Sequence, residues 1–335
     1  TASRDVRKCT GHSTGIRAVT ATEPEVVMLA AAARQKLDQG RLHARAGEHL
    51  AAVAEFKEAY ALYEQLGRPW DQARALRMSA VAQGFLARRD EAFSCARTAL
   101  ELARASGGKA GEAVGLRNLA ALHGFYGESE RALELHQRAS TILRTLDDLP
   151  GLASSTIDTA NVLLRLRRHD EARTEYEQAL EIYSVFPDHA GLAAAHQGLG
   201  VVCRRASENE KAVGQFELAL EQYRLAGDQR GEARTLNNLG VCCRAQGQRD
   251  SAQALDEQAL AIQQKIDDDA GVARSLWGLS RSLRRPGSLF RSLSLAWKAA
   301  GLDEANRPPH EKVQRGFLGA LRTTRTRWLE READR

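Results

Sequence analysis

Alanine returns along this chain on a fixed forty-residue step. One series runs Ala33, Ala73, Ala113, Ala153, Ala193, Ala233 and Ala273 with no slip in register. A second runs Ala52, Ala92, Ala132, Ala172, Ala212 and Ala252 and is broken at Ser292, and a third runs Ala59, Ala99, Ala139, Ala179, Ala219, Ala259 and Ala299. Three small-residue series on one period are the mark of a stack of repeated supersecondary units. In such a stack each unit touches only its neighbours, so the 335 residues add units rather than a second core. Aromatic residues make up only 5% of the chain, which suits helices packed through Ala and Leu better than a sheet built on large rings.

Residues 231–270 show the unit most clearly. Ala233, Leu236, Leu239, Gly240 and Cys243 follow the three-and-four spacing of one helical face, and the helix breaks near Gly247. Asp250 stands where an N-cap would open a second helix. Ala252, Leu255, Ala259 and Ile262 form the stripe of that helix, and Asp267, Asp268 and Asp269 are expected to close the unit as a loop. The same plan places further units at 31–70, 71–110, 111–150, 151–190, 191–230 and 271–310, seven in all. The slot of Gly240 holds Gly40, Ala80, Ala120, Ala160, Gly200 and Ser280 elsewhere, which predicts close helix approach there. Four residues after the second helix's first Ala the slot is often aromatic (Phe56, Tyr176, Phe216), with Ala96, His136, Asp256 and Ala296 in the other units. Residues 1–28 carry no helical periodicity and are expected to form a flexible tail. From Glu311 to residue 335 one more helix is expected, with Val313, Phe317, Leu318 and Leu321 on one side, as the polar terminal cap that a repeat stack needs.

Little in the chain points to catalysis. No metal-ligand spacing of His and Cys, no Walker loop and no G-x-G-x-x-G occurs, so no cofactor or metal is expected. Gly11-His12-Ser13-Thr14-Gly15 spells the G-x-S-x-G of a nucleophile elbow, but that motif works on a strand-to-helix turn of an α/β sheet, and here it lies in the unpatterned tail. The five cysteines are odd in number and contain no C-x-x-C, so a disulfide framework is not expected. Cys203 and Cys243 share one slot and read as small core residues. No apolar run approaches the about 20 residues of a spanning helix, and no signal-peptide pattern is visible. The expected setting is cytoplasmic. The chain starts at Thr1 rather than Met, which motivates the expectation that it is part of something longer.

The sequence Leu239-Gly240, then Cys243, Ala252, the often aromatic slot and Ala259 resembles the tetratricopeptide repeat (TPR). The usual TPR unit is about 34 residues; the longer step here is similar to that of kinesin light chain, the LGN-type scaffolds and the TPR regions of bacterial regulators. Leu116–Leu122 and Leu236–Cys242 look especially like that subgroup, while Lys36, Thr156 and His196 depart from the family at its tryptophan slot. The resemblance covers residues 31 to about 310 and implies an all-α fold, a right-handed α-solenoid of about seven antiparallel helix pairs. It also implies that first helices line a concave surface. The slots assigned to that surface collect Arg and Asn, and Asp38 and Asp158 are their only acids, whereas second helices are richer in Glu. The candidate binding residues are Arg77, Phe85, Arg117, Asn118, Phe125, Asn161, Arg165, Arg205, Arg234, Asn237, Asn238, Arg244 and Trp277. Arginine offers bidentate pairing to carboxylates, and an Asn amide can both donate to and accept from a peptide backbone. Phe85 and Phe125, with Arg77 and Arg117 two turns earlier, form a candidate pocket for an apolar side chain flanked by an acidic one.

With a net charge of +5, this pattern points first to a non-catalytic scaffold or regulatory adaptor holding an extended acidic protein or peptide segment. Two alternatives keep the fold: a sensory arm of a larger bacterial regulator, or RNA or DNA bound through the same basic groove. Few aromatics are available for base stacking, and the Glu-rich second helices would repel a phosphate backbone. Homo-oligomers through the ends of the stack fit the fold, and no membrane partner is expected.

Overall fold

The computed structural model describes residues 23–282, in which the chain forms twelve α-helices and no strand. In order they are α1 (Glu23–Arg45), α2 (His49–Gln65), α3 (Pro69–Phe85), α4 (Arg89–Phe125), α5 (Ser129–Thr145), α6 (Leu149–Arg165), α7 (His169–Val185), α8 (His189–Arg205), α9 (Asn209–Ala226), α10 (Gln229–Ala245), α11 (Arg249–Lys265) and α12 (Asp269–Ser282). The described chain divides into two compact units, the first ending at Glu175 and the second beginning at Tyr176, within α7. In the first unit each helix from α1 to α6 packs on the next, and in the second α8 to α12 do the same. In the second unit the first helices of successive repeats also meet, α8 with α10 and α10 with α12. Each unit is a stretch of all-α, two-helix solenoid.

A second period, half the first, lies beneath the forty-residue step. Most helices are 17 residues long, and short turns join them. Each of these turns holds one residue in the left-handed region, at Gly47, Gly67, Ala87, Gly127, Asp147, Arg167, Ser207, Gly227, Gly247 and Asp267. That is one such residue every twenty positions, and it reverses the chain so that its backbone amide returns to the end of the helix just finished. At position 187 the register meets Pro187, whose ring locks φ near about −65°. Asp188 is there extended, at φ −131° and ψ 110°, and caps α8 through its carboxylate on Ala190 N at 3.1 Å. Near 107 the register meets Gly107 and Gly108. Gly108 takes φ 56° and ψ −134°, so the second helix of one repeat and the first of the next run on as the two arms of α4.

Packing explains the alanine register. Every member of the three series within residues 23–282 is buried, none more than 7% exposed. The small slot does the expected work. A Cβ added at Gly40 would stand 2.5 Å from the Phe56 ring, and one at Gly200 would stand 2.6 Å from the Phe216 ring. Glycine in one helix thus receives a ring from its partner, and burying each such ring is worth about 1.5–3 kcal/mol.

Several sequence expectations change. The expected tail gives way to helix at Glu23, because Pro24 fits a helix's first turn and Glu23 and Glu25 favour its positive end. Asp250 is not an N-cap: α11 starts at Arg249, one residue earlier, and Asp250 lies in its first turn. The side-chain caps sit instead at the starts of first helices. Asp148, Asp228 and Asp268 accept from Gly151 N, Gly231 N and Gly271 N at 3.0, 3.0 and 3.2 Å. The Asp267–Asp269 run is therefore a turn, a cap and the first residue of α12 rather than a loop. Cys203 and Cys242 are buried, whereas Cys243 is half-buried. The G-x-S-x-G segment, the second helix of the seventh repeat and the expected terminal helix lie outside the described residues.

Candidate ligand-binding site

In the first unit, α3 and the two arms of α4 enclose a cleft of ≈ 270 Å³. Ala73, Ala99 and Ala103, all buried, form its apolar lining. Arg74, Arg77 and Asn118 are its half-buried polar groups. Trp70 and Val114, 44% and 38% exposed, stand on its solvent side. The spacing follows from helix geometry. Trp70, Ala73, Arg74 and Arg77 lie on one face of α3 at steps of three and four, and Val114 and Asn118 are one turn apart on the second arm of α4. Trp70 is held by its contact with the kink, where a Cβ on Gly107 would stand 3.0 Å from the indole.

Arg77 is the unusual charge here. No carboxylate pairs with it among the described residues. Burial, and then the like charges of Arg74, Arg41 and Arg117, push its pKa below the ordinary arginine value. Four guanidiniums thus converge on one part of the first unit, and two of them have partners. Arg41 pairs with Asp38 at 3.0 Å, and Arg117 pairs with Asp158 of the next repeat through Nε and Nη2 at 3.2 and 2.8 Å. The two acids of the first-helix slots are therefore already engaged, and Arg74 and Arg77 remain.

Of the thirteen sequence candidates, Arg77 and Asn118 meet in this cleft. Phe85 and Phe125 do come together, with ring centroids 5.2 Å apart and edge-on. They fill one another's space instead of leaving a pocket, because Phe85 also stacks on His49 at 4.5 Å and Phe125 lies against Gly84 and Tyr126. Arg165 lies over Gly124 and donates to its carbonyl at 3.3 Å, so it tethers neighbouring repeats. Asn161 and Arg205 are exposed, and Asn238 and Trp277 are half-buried.

Two candidates in the second unit are corrected. Asn237 is only 4% exposed and accepts a hydrogen bond from Ser275 Oγ at 2.9 Å, so its amide faces the next repeat, away from solvent. Arg244 is tied to the buried carboxylate of Asp256 and also reaches Ser282 Oγ at 3.3 Å. Its guanidinium is thus a structural counter-ion. Arg234 donates to Tyr223 Oη at 3.0 Å while remaining exposed. Arg74 falls on the first-helix slots that the sequence assigns to the groove, whereas Trp70 and Ala103 were not read from the sequence as site residues. The signal for Ala103 was available: its register slot holds Tyr63, Leu143, Tyr183, Tyr223 and Gln263 in the other described repeats, all large and all buried.

Comparison with known proteins agrees with this architecture. Residues 152–225 and 231–289 match the tetratricopeptide repeat family model. The same helix pair continues through the rest of the described residues, so the fold throughout them is of the tetratricopeptide-repeat kind. No curated protein sequence matches it. Among solved structures it is similar to BtubC (BKLC) from P. vanneervenii, at 23% identity and a TM-score of 0.53, covering 72% of this chain and 95% of that one. It is also similar to the Rap conjugation gene regulator of the plasmid pLS20 in complex with the Phr* peptide, at 14% identity and a TM-score of 0.58, over 84% of this chain and 85% of that one. A third likeness is to the STAND protein with a tetratricopeptide repeat sensor from Pyrococcus horikoshii, at 14% identity and a TM-score of 0.60, over 84% of this chain and 43% of that one. At these identities the likeness is one of fold.

Proposed function

We propose that this protein is a non-catalytic binding module that holds an extended peptide segment of acidic character on the first-helix face of its first unit. The observation that carries this reading is Arg77, a half-buried guanidinium without a carboxylate partner among the described residues, beside Arg74 and the Asn118 amide in one cleft. A desolvated charge left unpaired is costly, and an arriving carboxylate offsets that cost while making charge-assisted hydrogen bonds. Asn118 adds a group that can bind the peptide main chain. A solved protein of the same fold, the Rap regulator above, is seen with a peptide.

Fluorescence anisotropy with Asp/Glu-rich and Lys-rich peptides of equal length tests this. The acidic peptide should bind and weaken with added salt. Arg77→Glu and Asn118→Ala should weaken it further while the melting temperature stays unchanged. Equal binding of both peptides overturns the reading, and retention of single-stranded RNA at low salt in place of the peptide moves the groove to a nucleic-acid role.

A second reading is favoured by one comparison. Most of this chain is similar to less than half of the STAND protein, which has a tetratricopeptide repeat sensor. A sensory arm of a larger regulator would use the same cleft. Reading the genomic frame upstream of Thr1 tests this, since an immediate in-frame start codon would count against it.

A further inference from the structure

We propose that the cleft is the place of a missing tyrosine, and that it takes a ligand ring carrying its own carboxylate: the ring on the alanine lining, the carboxylate on Arg77 and Arg74. This rests on the reading of this face as a binding surface and names the chemistry it selects. The comparison that carries it lies within the repeat. In the second unit Tyr223 is buried against Ala193 and Ala219. Its hydroxyl donates to Gln197 Oε1 at 3.3 Å and accepts from Arg234 Nη2 at 3.0 Å. Three repeats earlier, the register counterparts of Ala193, Ala219, Gln197 and Arg234 are Ala73, Ala99, Arg77 and Val114. All four line the cleft, together with Ala103, the counterpart of Tyr223 itself. The cleft is thus the wall of a tyrosine site without its tyrosine.

Its polar groups have changed: the cation of Arg234 is lost at Val114, and two cations are gained on α3. Gln197, a neutral acceptor for the hydroxyl, is replaced by Arg77, which can only donate, and a second cation, Arg74, stands where the second unit has Ala194. A bare tyrosine or phenylalanine ring would satisfy the lining and leave both cations unanswered. A lone acidic side chain would answer the cations and leave the apolar lining empty. A ring joined to a carboxylate satisfies both. There is room for it: an apolar cavity of about 150 Å³ already accepts benzene, and this cleft measures ≈ 270 Å³. The opening beside Trp70 and Val114 admits either a free aryl acid or the last residue of a peptide, and Asn118 is placed to meet the amide of such a residue.

Calorimetry on the full chain tests the idea with phenylacetate, N-acetylphenylalanine, its amide, and a short peptide ending in phenylalanine with a free carboxylate. The acids should bind and the amide should bind about tenfold or more weakly, since about 1.4 kcal/mol is one factor of ten. Tighter binding of the peptide than of the free acids assigns the ligand to a chain terminus, and equal binding assigns it to a small acid; either supports the proposal. Ala103→Tyr, which restores the residue of three other repeats, should abolish binding. Ala103→Leu, which installs the residue of the Leu143 repeat, should do the same and keeps the test open if the tyrosine variant does not fold. Arg77→Gln should remove the preference for acid over amide. Acid and amide binding alike, or undiminished binding in a folded Ala103→Leu protein, overturns the proposal. If no aryl acid binds while an acidic peptide lacking aromatic residues binds the parent and Ala103→Leu equally, this inference falls and the peptide-groove reading stands. If neither kind of ligand binds, both fall.

Discussion

His136 in the first unit and Asp256 in the second occupy one register slot, the one filled by rings at Phe56, Tyr176 and Phe216. Both are buried, at 3% and 1% exposure, and both put a titratable group where the fold elsewhere puts an aromatic ring. Their surroundings differ. Asp256 is bonded by Arg244 from α10 and packed between Gly240 and Gly278, so its charge has a dedicated counter-ion. His136 Nδ1 has no hydrogen-bond partner, and burial pushes its pKa down to about 4 against the weaker opposing pull of Asp158. The arginines follow the same division: Arg244 is consumed by the core of its unit, whereas Arg77 is left facing a cleft. Identical helix geometry can thus make an internal ion pair in one repeat and an open cationic site in another, depending on which side chains neighbouring repeats bring.

The largest test breaks the pair in the second unit. Asp256→Ala leaves Arg244 buried without its carboxylate and should cost about 3–5 kcal/mol in urea unfolding; a loss below about 1 kcal/mol would mean that the guanidinium escapes to water.

Acid should then separate the two sites. His136 stays neutral in the fold but takes a proton in the unfolded chain near its ordinary 6.5. The unfolded state therefore binds more protons between pH 6.5 and 4, and stability falls as pH drops through that window, by about 3 kcal/mol in all at about 1.4 kcal/mol per pH unit. His136→Leu should remove this loss. Asp256 has the opposite sign. Burial raises its pKa from 3.8 to about 6, against the lowering effect of Arg244, so the folded state takes up the proton first. Its contribution to stability therefore grows as pH falls from about 6 towards 3.8, and Asp256→Asn should abolish that gain. Unfolding curves of the three proteins at a series of pH values check both signs.

A smaller effect is expected equally in both units. Arg167 and Ser207 hold the same left-handed turn position, at φ 62° and 64°. Glycine at either should stabilise by about 1 kcal/mol, because a side chain there carries a steric cost of about 1–2 kcal/mol, partly offset by glycine's entropy. Thermal melts of the two variants should shift upward by similar amounts. The smallest change is expected at Arg77. Arg77→Gln should leave stability unchanged or raise it slightly, since it removes a half-buried charge without a carboxylate partner among the described residues; a loss approaching that of Asp256→Ala would make Arg77 a structural residue and end the contrast.

How far the sequence could be read varied with the kind of contact. The alanine series and the Gly40 and Gly200 slots were legible because close helix packing demands small residues whatever surrounds them. The twenty-residue turn register was hidden, since five of its positions hold Ala, Asp, Arg, Ser and Asp, which do not announce a left-handed backbone. Asn118 and Asn237 both read as groove-facing amides, although they hold neighbouring register slots: Asn237 matches Arg117, and Asn118 matches Asn238. Asn118 lines the cleft, while Asn237 is covered by α12 and bonded by Ser275. Angular position on a helix is fixed by register, but what closes over that position depends on the next repeat.

By itself the sequence determined the repeat, its two-helix unit, the buried alanine stripes and the surplus of arginine on first helices. These follow from local periodicity, which every unit states again. Only the tertiary structure decided which arginines are answered. That outcome depends on side chains some forty positions apart: Asp158 reaches Arg117, Asp256 takes Arg244, and Ala103 leaves room beside Arg77 where Tyr223 fills the equivalent space.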